Sequence, residues 1–262
     1  MSAHNPHQPA ISLEKLPWPR TFAYNRRYRP FSVSTAPIVL HNEIMTTPPL
    51  LPDDPLLPVA QLAPATAAEG PGIRFALWLQ GCPLRCPGCC NPEMLPFTGG
   101  QPMRLHALLK QLDAAVERDH VEGVTLLGGE PFAHAEAAAP LAVAVRQRGL
   151  TLMIFSGYQF EELQASPDPH TQLLLAHTDL LVDGPYEKEL PESSRRWIGS
   201  ANQRIHFLSD RYQPDDPQWR QPNTLEIRLQ GSEVTVNGFP AAQAVGMWKR
   251  LPVHRSTPDR TP

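Results

Sequence analysis

The sequence predicts an α/β fold: an incomplete barrel or open sheet of parallel strands covered by helices. Three observations carry this expectation. Short, wholly apolar runs alternate with longer stretches of helical spacing, the pattern of strands buried on both faces. The unusual motifs fall just after those runs, where α/β folds keep their ligands. The patterned region, about 180 residues, is too short for the eight β/α units of a closed barrel.

Taken in order, residues 73–80 (IRFALWLQ) read as the first strand. Residues 105–117 have helical spacing through Leu105, Leu108, Leu109, Leu112 and Val116. Residues 121–127 form the second strand and the alanine-rich residues 135–148 the second helix. A third strand follows at 151–155, residues 159–176 are helical in pieces, and 179–182 (DLLV) is a fourth strand. Residues 224–229 and 233–236 flank Gln230-Gly231-Ser232, which suggests a hairpin or edge pair. Residues 241–250 have the spacing of a closing helix.

The ends differ in composition. The chain has 262 residues, a 41% hydrophobic fraction, a formal charge of −3 and 31 prolines. That proline share is about 12%, against an average near 5%. Segments such as Thr47-Pro48-Pro49 and Leu51-Pro52-Asp53-Asp54-Pro55 cannot sustain a helix, because proline fixes φ and lacks a donor. Lys15, Arg20, Arg26, Arg27 and Arg29 make the start basic, but no amphipathic period supports a transit peptide and no apolar core a signal peptide. We therefore expect a proline-rich disordered extension over 1–55, a folded domain over 56–251 and a disordered tail over 252–262. A chain starting at Met45 is expected to fold. Collagenous, coiled-coil and integral membrane classes are excluded, and the charge gives no bulk reason to bind nucleic acid or a membrane surface.

All four cysteines lie between Cys82 and Cys90. A disulfide framework spreads its cysteines to staple distant loops, so this clustering points to metal binding or electron exchange in a reducing, cytoplasmic compartment. Cys82, Cys86 and Cys89, spaced C-x-x-x-C-x-x-C on one tight loop, can ligate three irons of a [4Fe–4S] cluster and leave the fourth open. Cys90 adjoins Cys89 and is read as packing beside the cluster rather than as a ligand. A structural zinc is the competing reading, though no His or further Cys sits at the usual spacing. Cys86-Pro87-Gly88-Cys89 as a thiol–disulfide pair would leave Cys82 unexplained.

Three more special loops share that rim: Gly128-Gly129-Glu130-Pro131, Ser156-Gly157-Tyr158 and Asp183-Gly184-Pro185-Tyr186. The cysteine spacing followed by Gly128–Pro131 on the next strand resembles the radical S-adenosylmethionine (SAM) superfamily, whose fold is a partial β/α barrel. The resemblance is closest to the glycyl-radical-enzyme activating enzymes, of the type that activates anaerobic ribonucleoside-triphosphate reductase. It covers roughly residues 70–205. Glu69-Gly70-Pro71-Gly72-Ile73-Arg74, Asn91-Pro92, Phe155 to Tyr158, Leu181 to Tyr186 and Gly199-Ser200-Ala201-Asn202-Gln203-Arg204 also carry it. Two positions depart from the pattern: Cys90 stands where an aromatic residue or histidine is common, and Gly88 where an aromatic is frequent.

The resemblance implies that SAM chelates the open iron, that Gly128, Gly129, Glu130 and Pro131 lie against its amino group, and that Ser156 and Asp183 line its site. Glycines let backbone approach the ligand, and a carbonyl or the Glu130 carboxylate can accept from an ammonium. It further implies a flavodoxin- or ferredoxin-type reductant, reductive cleavage to a 5′-deoxyadenosyl radical, and hydrogen abstraction from a glycine of a partner enzyme. No protein acid or base is required, so no catalytic dyad is expected. Two alternatives stand: a radical SAM enzyme modifying a peptide or small molecule, as deazaguanine synthases do, and a non-enzymatic iron–sulfur carrier or sensor. Lys188, Arg195, Arg196 and Arg204 form a candidate positive rim or a solvated face, and Trp197 an interface anchor or a core residue.

Overall fold

The computed structural model describes residues 52–230 and 233–238. The expected extension, tail and closing helix at 241–250 lie outside those residues, save for positions 52–55.

Strands β1 (Leu56–Thr66), β2 (Arg74–Leu79), β3 (Gln101–Arg104), β4 (Gly123–Gly128), β5 (Thr151–Phe155), β6 (Leu180–Asp183) and β7 (Arg204–Phe207) form one sheet, ordered β3-β1-β2-β4-β5-β6-β7. The centre, β2-β4-β5-β6, is parallel, whereas β1, β3 and β7 add antiparallel edges. Helices α1 (Leu105–Asp119), α2 (Ala135–Gln147), α3 (Phe160–Gln164) and α4 (Pro169–Ala176) connect the strands. Strands β8 (Leu225–Gln230) and β9 (Glu233–Gly238) pair separately as the expected hairpin.

The elements read from apolar runs fall close to their predicted places. Strand β2 is buried along its whole length, and α1 turns Leu105, Leu108, Leu112 and Ala115 inward. Asp168 caps α4, accepting from His170 N at 3.2 Å and Thr171 N at 3.0 Å, with Pro169 at the first helical position. The wholly parallel sheet is corrected by the three edge strands. Pairing, rather than local pattern, makes them strands. Pro58 of β1 stands opposite Pro102 of β3, and the β1–β2 register shifts between Ala63 and Thr66 around Pro64. Edges and bulges are where a strand tolerates proline.

One sheet face meets the helices. Leu77, Leu79, Leu126, Leu152, Ile154 and Leu181 pack there with Leu108, Leu112, Leu141, Val145 and Leu174. The other face carries Met153, Leu180, Val182, Trp197, Ile198 and Trp219. Beside these lies a second cluster of Ala76, Trp78, Leu127 and Met94. Trp197 is fully buried, stands edge-on to Trp219 at 5.7 Å and donates from its indole nitrogen to Ala68 O at 3.1 Å, so it is core and not an interface anchor.

Arg74 is buried too, and its guanidinium bonds Thr125 Oγ1 (3.0 Å), Thr151 Oγ1 (2.6 Å) and Val124 O (2.5 Å). It thereby ties β2, β4 and β5 together at one end. That leaves the opposite, carboxyl ends of these strands to carry the unusual loops.

Candidate functional site

The cysteine loop leaves β2 and returns onto its own start. Gly81 N donates to Met94 O at 2.8 Å and Cys82 N to Leu95 O at 3.0 Å. Gln80, which the sequence did not single out, donates through Nε2 to Glu93 O at 3.0 Å and Pro96 O at 2.7 Å. A buried glutamine at a strand exit is the local signal for this brace. The loop is therefore closed before any ligand binds.

All four cysteines are free thiols: Cys82 is buried, Cys86 and Cys89 are half-buried and Cys90 is exposed. Burial pushes the Cys82 thiol up, opposed by backbone N–H groups of Arg85 and Leu84 that bond its sulfur. A hydrogen bond from Cys90 pulls Cys89 down to about 6, helped by Asn91 N, while Cys90 is itself pushed up. N–H and S–H groups aimed at sulfur favour the thiolate, the form that ligates metal. Cys89 N donates to Cys86 O at 3.1 Å in a tight turn, with Gly88 at φ +75°. Three free thiols on one closed loop, with donors aimed at two of the sulfurs, fit the three-ligand set of an iron–sulfur cluster. Among the described residues no three His, Cys, Asp or Glu side chains are placed to hold a single metal ion.

The β4 exit is sewn to that loop. Gly129 N donates to Leu79 O at 2.7 Å and Glu130 N to Gly81 O at 3.0 Å. A side-chain carbon on Gly129 would stand 2.3 Å from Gly81 O, closer than atoms can approach, so only glycine permits the seam. The buried Glu130 carboxylate accepts three bonds: Phe132 N (3.0 Å) and Ser156 Oγ (2.9 Å) on Oε1, and Gly157 N (2.8 Å) on Oε2. Burial nevertheless raises its pKa to about 7. Ser156 also accepts from Tyr158 N at 3.1 Å. Glu130 and Ser156 thus meet each other, joining the β4 and β5 exits.

The β5 and β6 exits join next, through Ser156 N to Val182 O (2.8 Å) and Gly184 N to Tyr158 O (3.0 Å). Asp183 is buried and accepts from Phe160 N at 2.7 Å and Arg204 Nε at 3.1 Å, with a shorter contact to Arg204 Nη2 and His206 Nε2 at 3.1 Å. Burial raises its pKa, but Arg204, Phe160 N and His206 outweigh that and hold it below the usual carboxylate range. Arg204 also grips Glu161 with both terminal nitrogens, at 2.9 and 2.7 Å. Beside this pair opens a cavity of about 270 Å³ lined by Gln159, Asp183, Gly184, Asn202 and Arg204.

All four motif loops therefore lie along one connected rim. The candidate positive rim dissolves instead: Arg195 pairs with Glu192 at 2.6 Å, Arg196 lies over the Trp197 ring, and Arg204 serves Asp183.

A family model described as a 4Fe-4S single cluster domain matches residues 68–206. The anaerobic ribonucleoside-triphosphate reductase-activating protein of Enterobacteria phage T4 is 30% identical over 154 residues, covering 57% of this chain and 94% of the relative. The protein of that name from Salmonella typhi is 31% identical over 153 residues, covering 56% and 97%. The one from Escherichia coli K12 is 31% identical over 157 residues, again covering 56% and 97%.

Proposed function

Because this chain belongs to the 4Fe-4S single cluster domain family, alongside the reductase-activating proteins just compared, we propose that it is a radical SAM activating enzyme that places a radical on a glycine of a partner enzyme. The observation that carries the reading is the seam between the two defining motifs. Glu130 N on Gly81 O and Gly129 N on Leu79 O bring the glycine-rich turn against the start of the cysteine loop. A parallel centre with motif loops along one rim supports a partial barrel of the radical SAM type.

Cys82, Cys86 and Cys89 would hold the cluster, leaving one iron for SAM. When bound, the cluster supplies the single electron that splits the sulfonium C–S bond of SAM. The rest falls to positioning. Carbonyls of the turn 128–131 would accept from the SAM ammonium. The Glu130 carboxylate is already engaged by Phe132, Ser156 and Gly157, so its part is to hold the β4 and β5 exits in register. Asp183 and Arg204 flank a cavity that suits the polar groups of a nucleoside or the approach of a partner loop. The reductant would be a flavodoxin- or ferredoxin-type protein. Among the described residues no helix is long and apolar enough to cross a membrane.

The test is anaerobic reconstitution, strong reduction, and incubation with SAM and an anaerobic ribonucleotide reductase carrying its glycine loop. Deoxyadenosine release with a glycine-centred doublet in electron paramagnetic resonance is the expected result. Deoxyadenosine release with no doublet, and a modified small molecule or peptide instead, would replace the activase with a modifying enzyme. Absence of both iron and deoxyadenosine would end the radical SAM reading.

A further inference from the structure

In sequence, Lys188 groups with three arginines as a candidate rim; in the structure it stands apart from them. Each arginine is engaged by a neighbour, whereas Lys188 is exposed and, among the described residues, makes no ion pair. Its stem lies on the cysteine loop. A side-chain carbon built on Gly88 would stand 3.0 Å from Lys188 Cδ, 3.3 Å from Cβ and 3.4 Å from Cγ. Gly88 sits between Cys86 and Cys89, inside the turn closed by Cys89 N on Cys86 O. The missing side chain at 88, in a left-handed conformation few residues accept, makes the groove that the stem fills. The ammonium lies two bonds beyond Cδ, on a stem that crosses the turn between Cys86 and Cys89.

We propose that Lys188 sets the reduction potential of the cluster held by Cys82, Cys86 and Cys89, its ammonium stabilising the reduced state. This rests on the cluster reading above. A thiolate-held cluster becomes more negative when it takes up an electron, and net charge and solvent exposure are what tune such potentials. A fixed cation favours the more negative state and so raises the potential. Glu93, which faces Cys89, acts in the opposite sense. Arg85, also exposed and on the same loop, is a further cation and is left unchanged in the test. At an illustrative separation of about 8 Å, Coulomb's law for two unit charges between water and a protein surface gives roughly a two- to thirtyfold effect on the reduced-to-oxidised ratio.

The experiment is a redox titration of the anaerobically reconstituted full chain, followed by electron paramagnetic resonance, with iron content and absorption measured in parallel. Lys188→Met keeps the stem and removes the charge; Lys188→Arg keeps a charge. The expected result is wild-type iron in both, and a more negative midpoint for Lys188→Met alone. At the wild-type midpoint its reduced-to-oxidised ratio should fall by that two- to thirtyfold. Added salt should move the wild-type midpoint in the same direction and Lys188→Met much less. An unchanged midpoint in Lys188→Met with the cluster intact, or equal salt responses, overturns the proposal. Wild-type protein that holds no cluster would instead sink the cluster reading, and iron content separates the two failures.

Discussion

Glu130→Gln isolates the cost of burying a carboxyl at the seam of the site. In the folded chain its pKa is raised to about 7 from the ordinary carboxyl value of 4.5, because burial outweighs three hydrogen bonds. A carboxyl raised in the folded state binds its proton more tightly there than in the unfolded chain. The stability it contributes is thus fully present below about pH 4.5 and is lost as pH rises through about 7. The gap of roughly 2.5 units, at 1.36 kcal/mol per unit, sets a ceiling of about 3 kcal/mol. Glutamine cannot titrate, so it removes this pH dependence. It also turns an NH₂ toward either Gly157 N or the Phe132 and Ser156 donors, a donor-against-donor contact costing about 1–3 kcal/mol. Half-buried His134 and His177, whose pKa values partial burial lowers, slope the other way in both proteins and cancel in the difference. The assay is urea unfolding of the cluster-free, reduced chain at half-unit steps from pH 5 to 8. The wild-type advantage should be largest at pH 5 and shrink toward pH 8. A difference that is flat across this range, or that grows with pH, refutes the assignment of a buried, proton-holding carboxyl.

Three further expectations follow from the geometry. Cys86→Ala, reconstituted anaerobically, should lose most of the visible absorption and iron that the wild-type chain, at about four irons, retains; a full cluster in the variant would remove Cys86 from the ligand set. Gly129→Ala puts a carbon 2.3 Å from Gly81 O, a backbone atom that cannot step aside. Urea unfolding should show about 1–3 kcal/mol of destabilisation. Trp197→Ala empties the centre of the second sheet face, where the ring is fully buried, and should cost about 3–5 kcal/mol in the same assay.

What the sequence by itself determined is everything local in cause. β2, β4, β5 and β6 are buried on both faces, so each is a plain apolar run, and α1 announces itself by leucines every three or four residues. The three cysteines and Gly128 to Pro131 stand out because chemistry demands those residue types at close spacing. Decisions made between distant segments were hidden. β1, β3 and β7 contain prolines or polar residues and become strands only because a neighbour supplies hydrogen bonds at an edge. Ser156, 26 residues from Glu130 in the chain, meets its carboxylate only after two parallel strands align their ends. The same holds for Arg204 and Asp183, which read as a surface cation and a pocket acid until β7 paired with β6. Lys188 stood among three arginines by composition, and only folding laid its stem across Gly88. Periodicity records which side of an element faces inward, whereas a partner far along the chain is chosen by packing, and no single segment carries that information.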